Sequence, residues 1–144
     1  MRNFLWLALG LGGCAAGADG PSARTWAYAE AQPDCAPWDG AATTIQLSDA
    51  PIGDSLSRPW VRLSIYRSVS GIDGRTRLEG SKPGSMWVES CPEDGACLSA
   101  DEGWVDLRTE QGSLRGTYHL RLSDGRSESG SFVAVIRERQ ILCG

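Results

Sequence analysis

Leu114-Arg115-Gly116-Thr117-Tyr118-His119-Leu120-Arg121-Leu122 carries a two-residue period. Leu114, Tyr118, Leu120 and Leu122 fall on one phase, and Arg115, Thr117, His119 and Arg121 on the other. This is the pattern of a strand with one face in a core and the other in water. Gln111-Gly112 precedes the segment and Asp124-Gly125 follows it. Glycine accepts the positive φ of a tight hairpin at no steric cost, so both pairs predict hairpin turns. Trp104 to Thr109 alternates on one side, with Val105 and Leu107 inward, and Ser131 to Ile136 forms a strand on the other. Residues 104–136 therefore predict a three-stranded meander.

The same period extends outward. In Trp60-Val61-Arg62-Leu63-Ser64-Ile65-Tyr66-Arg67 the aliphatics Val61, Leu63 and Ile65 share one face. Thr43 to Leu47 and Ser85 to Ser90 read as strands, and Trp26 to Glu30, Arg75 to Leu78 and Gln140 to Cys143 show shorter alternation. Asp73-Gly74 marks a further turn. No window of helical length repeats at 3.6 residues, so the crossover helices of a doubly wound α/β fold are missing. Many short strands with Gly-rich turns predict an all-β chain: a small antiparallel β-sandwich or barrel-like domain of about seven to nine short strands. It occupies residues 25–144 as a single domain.

A length of 144 residues with 22% charged and 41% hydrophobic residues suits one globular domain. The net charge of −4 excludes a general nucleic-acid surface, which needs a basic face to neutralise phosphates. His119 is the single histidine, which excludes two-His metal sites. No metal or cofactor is expected.

The N-terminus reads as a targeting segment. Met1-Arg2-Asn3 carries one positive charge, and Phe4 to Leu11 is an apolar run too short to span a bilayer. It ends in Leu11-Gly12-Gly13-Cys14, which resembles the lipobox of bacterial lipoproteins. The resemblance implies a cleaved signal peptide over 1–13, lipidation of Cys14, and a membrane anchor. Several acyl chains would hold it firmly where one would not. Ala15 stands where an Asp would retain such a protein at the inner membrane, so the resemblance points to the outer membrane. Residues 14–24, small and polar with Gly and Pro, read as the lipidated Cys and a flexible tether.

Cys14 is the odd one of five cysteines. Cys35, Cys91, Cys97 and Cys143 allow three pairings. Cys91 and Cys97 bracket a Pro-Glu-Asp-Gly-Ala turn and are predicted to pair, which leaves Cys35 with Cys143. Export supplies the oxidising compartment. A zinc site would need closer ligand spacing and reduced thiolates.

Catalytic signals are poor. Gly53-Asp54-Ser55-Leu56 resembles the signature of the GDSL lipases and esterases. It follows Ala50-Pro51-Ile52 instead of an apolar strand, and Gly116 stands three residues before His119 where that family has Asp. Without a base the Ser55 hydroxyl is a poor nucleophile. His119 falls on the polar strand face. Glu93-Asp94 and Asp101-Glu102 match neither a glycosidase nor an EF-hand spacing, and read as solvated loop charges.

Tryptophan is the more suggestive feature. Trp60 is in phase with Arg62, Ser64 and Tyr66, Trp104 with Asp106 and Arg108, and Trp87 with Glu89. Trp60, Trp87, Trp104, Arg62 and Tyr66 thus form a candidate binding surface, since an aromatic plane beside polar groups suits a sugar ring or a protein hot spot. The opposing expectation is that the tryptophans close the core.

From Cys35 onward the chain resembles small bacterial lipoproteins with a disulfide-tied β-domain. The residues concerned are Cys35-Ala36-Pro37-Trp38-Asp39-Gly40-Ala41-Ala42, the run Gly116 to Gly125, and Leu142-Cys143-Gly144. This resemblance implies an all-β fold and no assigned activity. The functional expectation is a lipid-anchored, non-enzymatic binding or interaction module of the cell envelope, with a protein or an envelope glycan as partner. A periplasmic hydrolase inhibitor presenting the Cys91–Cys97 loop is the alternative, and a hydrolase is third.

Overall fold

The computed structural model describes residues 23–79 and 85–144. It contains β1 (Arg24–Thr25), β2 (Tyr28–Cys35), β3 (Ala41–Ser48), β4 (Trp60–Ile65), β5 (Gly74–Glu79), β6 (Met86–Cys91), β7 (Leu98–Glu110), β8 (Ser113–Leu122) and β9 (Ser127–Ile136), with one 3-10 turn at Val69–Gly71. Hydrogen bonding runs β9-β2-β3-β4-β6-β7-β8 and returns to β9, so seven strands close a barrel. β1 adds to β9, and β5 adds to β7 beside the short β6–β7 pairing. Closure removes the open edges that would otherwise template association.

The predicted meander is β7-β8-β9, although β7 starts at Leu98, well before Trp104. Glu110 pairs with Ser113 across Gln111 and Gly112, whose φ values are 48° and 79°. Positive φ at both central residues is the type I′ geometry that matches strand twist. At the other hairpin, the Leu122 amide donates to the Arg126 carbonyl, and Gly125 takes φ 88°.

Three elements differ from the sequence expectation. The barrel is antiparallel except where it closes: Glu30 and Ala31 of β2 pair in parallel with Val135 and Ile136 of β9. Gln140 to Cys143 forms no strand, because the tail leaves β9 after Ile136 and follows β2 towards its disulfide partner. Asp73-Gly74 does not join paired strands. It follows the 3-10 turn and leads into β5, and Asp73 accepts from the Thr109 amide and hydroxyl at 2.8 and 2.7 Å. The segment 1–13 expected to be a signal peptide and residues 14–22 of the expected tether, with Cys14, lie outside the described residues.

The inner phase of each strand makes the core. Ile45, Leu47, Val61, Leu63, Ile65, Val105, Leu114 and Leu120 are completely buried. Two glycines leave room for rings across the β8–β9 pair. Gly116 faces Phe132, and Gly130 faces Tyr118. A Cβ on Gly116 would lie 2.3 Å from the Phe132 ring, and one on Gly130 would lie 2.6 Å from the Tyr118 oxygen. Each ring thus covers the backbone of the glycine opposite it, as aromatic rescue describes.

The two barrel ends are built differently. At one end the chain after β4 folds back and inserts Ile72, fully buried, among the core residues. Arg67 holds this plug by donating to the Ile72 carbonyl at 3.1 Å and to Thr76 Oγ1 at 2.5 Å, while Thr43 donates to the Arg67 carbonyl at 2.8 Å. The Cys35–Cys143 disulfide straps the tail to β2 at this end. The other end, where β6 and β8 finish and β9 begins, carries the Cys91–Cys97 disulfide and remains open.

Candidate functional site

The open end is a cleft of about 430 Å³. Its walls come from Trp26, Pro59, Trp60 and Leu122, with Arg24 and Arg126 also lining it and Ser90 and Glu128 contributing polar groups. A concave, mainly apolar site with a few converging polar groups is the usual form of a small-ligand pocket.

A single hydrogen-bond network connects its floor. Trp26 Nε1 donates to the Tyr118 hydroxyl at 2.8 Å, and that hydroxyl donates to Glu128 Oε1 at 3.1 Å. Ser90 Oγ donates to Glu128 Oε2 at 2.7 Å. The network follows from strand phase. Glu128 shares the inward phase of β9 with Gly130, Phe132 and Ala134, and lies opposite Leu120. Ser90 continues the inward row of Met86 and Val88, and Tyr118 that of Leu114 and Leu120. A carboxylate brought into the barrel requires such donors, since an unpaired buried charge is costly. Burial, followed by the Glu128 charge, pushes the Tyr118 hydroxyl well above its ordinary value, so it remains a proton donor.

Two ion pairs stand at the rim. Arg24 pairs with Asp49 and lies over the Trp26 ring, 4.1 Å from its centroid. Arg126 pairs with Asp124 at 2.6 Å. The backbone amide of Arg126 is the first cause holding the Asp124 carboxyl below the usual range.

Of the five residues of the candidate surface, Trp60 alone lines this cleft. Arg62 lies over its ring at 5.2 Å from the centroid. Trp87 is exposed on the outside of β6, opposite Ser64, about 13 Å along the strands from Trp60 at the usual rise per residue. Tyr66 packs edge-on against Trp38, at 4.7 Å between centroids, beyond the opposite end of β4. Trp104 sits on β7 with the Arg75 guanidinium 4.1 Å over its ring and His119 beside it. The outward phase is therefore as expected, while the residues are distributed around the barrel.

The weaker catalytic signals remain apart. Ser55 is exposed in the β3–β4 connection, and His119 Nδ1 is hydrogen-bonded to Ser129 Oγ at 2.6 Å. Asp101 and Glu102 lie on β7 instead of in a loop, at the register shift, where Glu102 pairs with Arg121 at 2.9 Å. Glu89, Cys91 and Cys97 place ligand-type atoms within 4.8 Å of one another, but both sulfurs are committed to the disulfide.

Trp26, Tyr118, Ser90 and Glu128 are the site residues that sequence reasoning missed. One signal was available: an acidic residue in phase with Phe132 and Ala134. It went unused because the predicted strand began at Ser131, three residues after Glu128. No protein-family model matches the chain, and neither a curated protein nor a solved structure does.

Proposed function

We propose that the chain is a lipid-anchored, non-enzymatic binding module of the cell envelope that takes its ligand in the open cleft. The observation that carries this is the asymmetry of the barrel. At one end Ile72 fills the barrel interior and leaves only a smaller cleft of about 280 Å³ outside the plug, between the β2 and β3 ends and the Cys143 tail, while the other end combines two tryptophans with a hydrogen-bonded carboxylate.

The anchor rests on Leu11-Gly12-Gly13-Cys14 after the apolar run, and Ala15 supports the outer membrane. Metabolic labelling with palmitate tests it. Wild type is expected to incorporate label and partition with membranes, and Cys14→Ser to lose both. Unchanged labelling would remove the anchor assignment.

The binding role is tested by titrating the oxidised full chain with envelope glycans and envelope protein extracts while following tryptophan fluorescence. A saturable change abolished by Trp60→Ala supports the cleft, and one abolished only by Trp104→Ala moves the site to β7. A second reading, inhibition of a periplasmic hydrolase, is favoured by the exposed Glu93-Asp94-Gly95-Ala96 loop. The Cys91–Cys97 disulfide closes this loop, and Arg58 donates to its Gly95 carbonyl at 2.5 Å. Hydrolase inhibition that Arg58→Ala relieves, with the cleft unaffected, would favour it.

A further inference from the structure

Resting on the cleft as a ligand site, we propose that the ligand is a neutral saccharide that presents two adjacent hydroxyls to the Glu128 carboxylate. An ionised carboxylate has about four acceptor positions on its two oxygens. Among the described residues each oxygen accepts one hydrogen bond, Oε1 from Tyr118 and Oε2 from Ser90. One acceptor position therefore remains on each oxygen. Both belong to one planar group that lines the cleft, and two acceptor positions on one carboxylate match a pair of hydroxyl donors on neighbouring carbons. The two protein donors fix the carboxylate in place, so a ligand need not order it on binding.

The surrounding groups suit the rest of a sugar ring. Pro59 and Trp60 line the cleft with apolar surface for its C–H face, with Arg62 over one face of the Trp60 ring and the other face left for the sugar. Arg24 and Arg126 carry more N–H groups than their ion pairs with Asp49 and Asp124 use, and the spare ones are donors for ring and hydroxyl oxygens. The site thus offers acceptors on its floor and donors at its rim, as a polyol requires.

Charge narrows the class. The two arginines are each balanced by an aspartate, and Glu128 is left as one uncompensated negative charge among the cleft groups. Uronates and phosphorylated sugars are disfavoured by it. A cationic ligand meets a different obstacle: Arg24 already lies over the Trp26 ring and Arg62 over the Trp60 ring, and the Arg126 guanidinium stands at the rim.

The test uses the oxidised full chain in micelles of a sugar-free detergent, with methyl mannoside, methyl glucoside, glucuronate and N-acetylarginine amide as probes. Binding is followed by tryptophan fluorescence and by saturation-transfer NMR. At least one neutral glycoside should bind saturably, with glucuronate at least about tenfold weaker. One monodeoxy analogue of that glycoside should lose about 10- to 100-fold, the value of a hydrogen bond to a charged group. This comparison alters the ligand and leaves the protein intact, so it stands even if Glu128→Gln folds poorly. Where that variant folds, it should show a similar loss, while Trp87→Ala binds as wild type does. Preferential binding of N-acetylarginine amide, abolished by Trp60→Ala, would overturn the saccharide assignment and leave the cleft a binding site. Neutral binding that no deoxy analogue weakens would overturn the diol. Silence from every probe would overturn the saccharide, and the cleft reading would fall with it if the envelope titration were also silent.

Discussion

The two ends of this barrel begin from the same strands and are finished by opposite means. At the plugged end a short 3-10 turn sends a single isoleucine into the core, and polar groups serve only to hold the turn. At the open end the inward positions include the polar groups of Ser90, Tyr118 and Glu128, and these are satisfied by one another and by Trp26. Apolar packing gains more stability and needs no partners, so a polar network at one end costs stability that a ligand site can justify. The difference teaches that the interior phase of a barrel strand is not uniformly core. Where it reaches an open mouth, it becomes the floor of a cleft.

The disulfides give the largest effect. Cys35 and Cys143 close a long loop at the plugged end, with a separation of 108 residues, while Cys91 and Cys97 close one of 6 at the open end. In the chain-entropy account the first contributes about 4–5 kcal/mol and the second about 2 kcal/mol. Urea titrations of Cys35→Ser/Cys143→Ser and Cys91→Ser/Cys97→Ser should rank in that order. The reverse ranking would mean that the open end is the mechanically critical one.

Ile72→Ala follows. Removal of a fully buried side chain from the plug should cost about 2–5 kcal/mol in denaturant unfolding, with little change in the fluorescence of the cleft tryptophans at the far end. A cost below about 1 kcal/mol would show that the plug collapses freely and is not a structural counterpart to the open cleft.

Tyr118→Phe sharpens the contrast from the other side. It leaves the Trp26 N–H and one Glu128 oxygen without their partner, which should cost about 1–3 kcal/mol in the same measurement. Neutral stability would mean that water replaces the hydroxyl and that the cleft is wetter than its packing suggests. Gly130→Ala, which drives a methyl into the Tyr118 ring, should fall in a similar range.

The smallest effects are those of pH, and the ends should respond at opposite extremes. The Tyr118 hydroxyl is raised in the fold, first by burial and then by the Glu128 charge. Its contribution is complete below the ordinary tyrosine value near 10 and is lost as pH rises beyond it. Asp73, beside the plug, is lowered chiefly by its hydrogen bond from the Thr109 side chain. Its contribution is present above the ordinary aspartate value near 3.9 and is lost as pH falls through the folded value. Tyr118→Phe should therefore flatten the alkaline limb of thermal stability, and Asp73→Asn the acid limb. A variant that flattens the wrong limb breaks the assignment of each group to its end.

Much of the fold was legible because it is local. Alternation over 60–67 and 114–122 placed Val61, Leu63, Ile65, Tyr118 and Leu120 inside, and their burial follows that phase. Gln111-Gly112 and Asp124-Gly125 marked hairpins through the backbone preference of glycine. The spacing of Cys91 and Cys97 identified the short bridge, and elimination the long one. The candidate site was less legible. Trp60 was singled out for standing among polar residues, yet its neighbours in the cleft come from β1, β6, β8 and β9 and from the connections between strands.

Strand content, hairpins, inward phase and disulfide partners were thus written into the chain, because each depends on residues two apart, on a turn dipeptide, or on counting cysteines. Parallel closure of β2 on β9, the seating of Ile72, and the meeting of Trp26 with Tyr118, Ser90 and Glu128 required the assembled barrel. The β2–β9 closing pairs are 105 positions apart, Trp26 and Tyr118 are 92 apart and Ser90 and Glu128 are 38 apart, while the seating of Ile72 depends on how the chain finishes one end of the barrel. Periodicity states which way a side chain faces. Closure and stagger of the whole sheet state what it faces, and that is where a carboxylate on an apolar phase becomes the floor of a cleft.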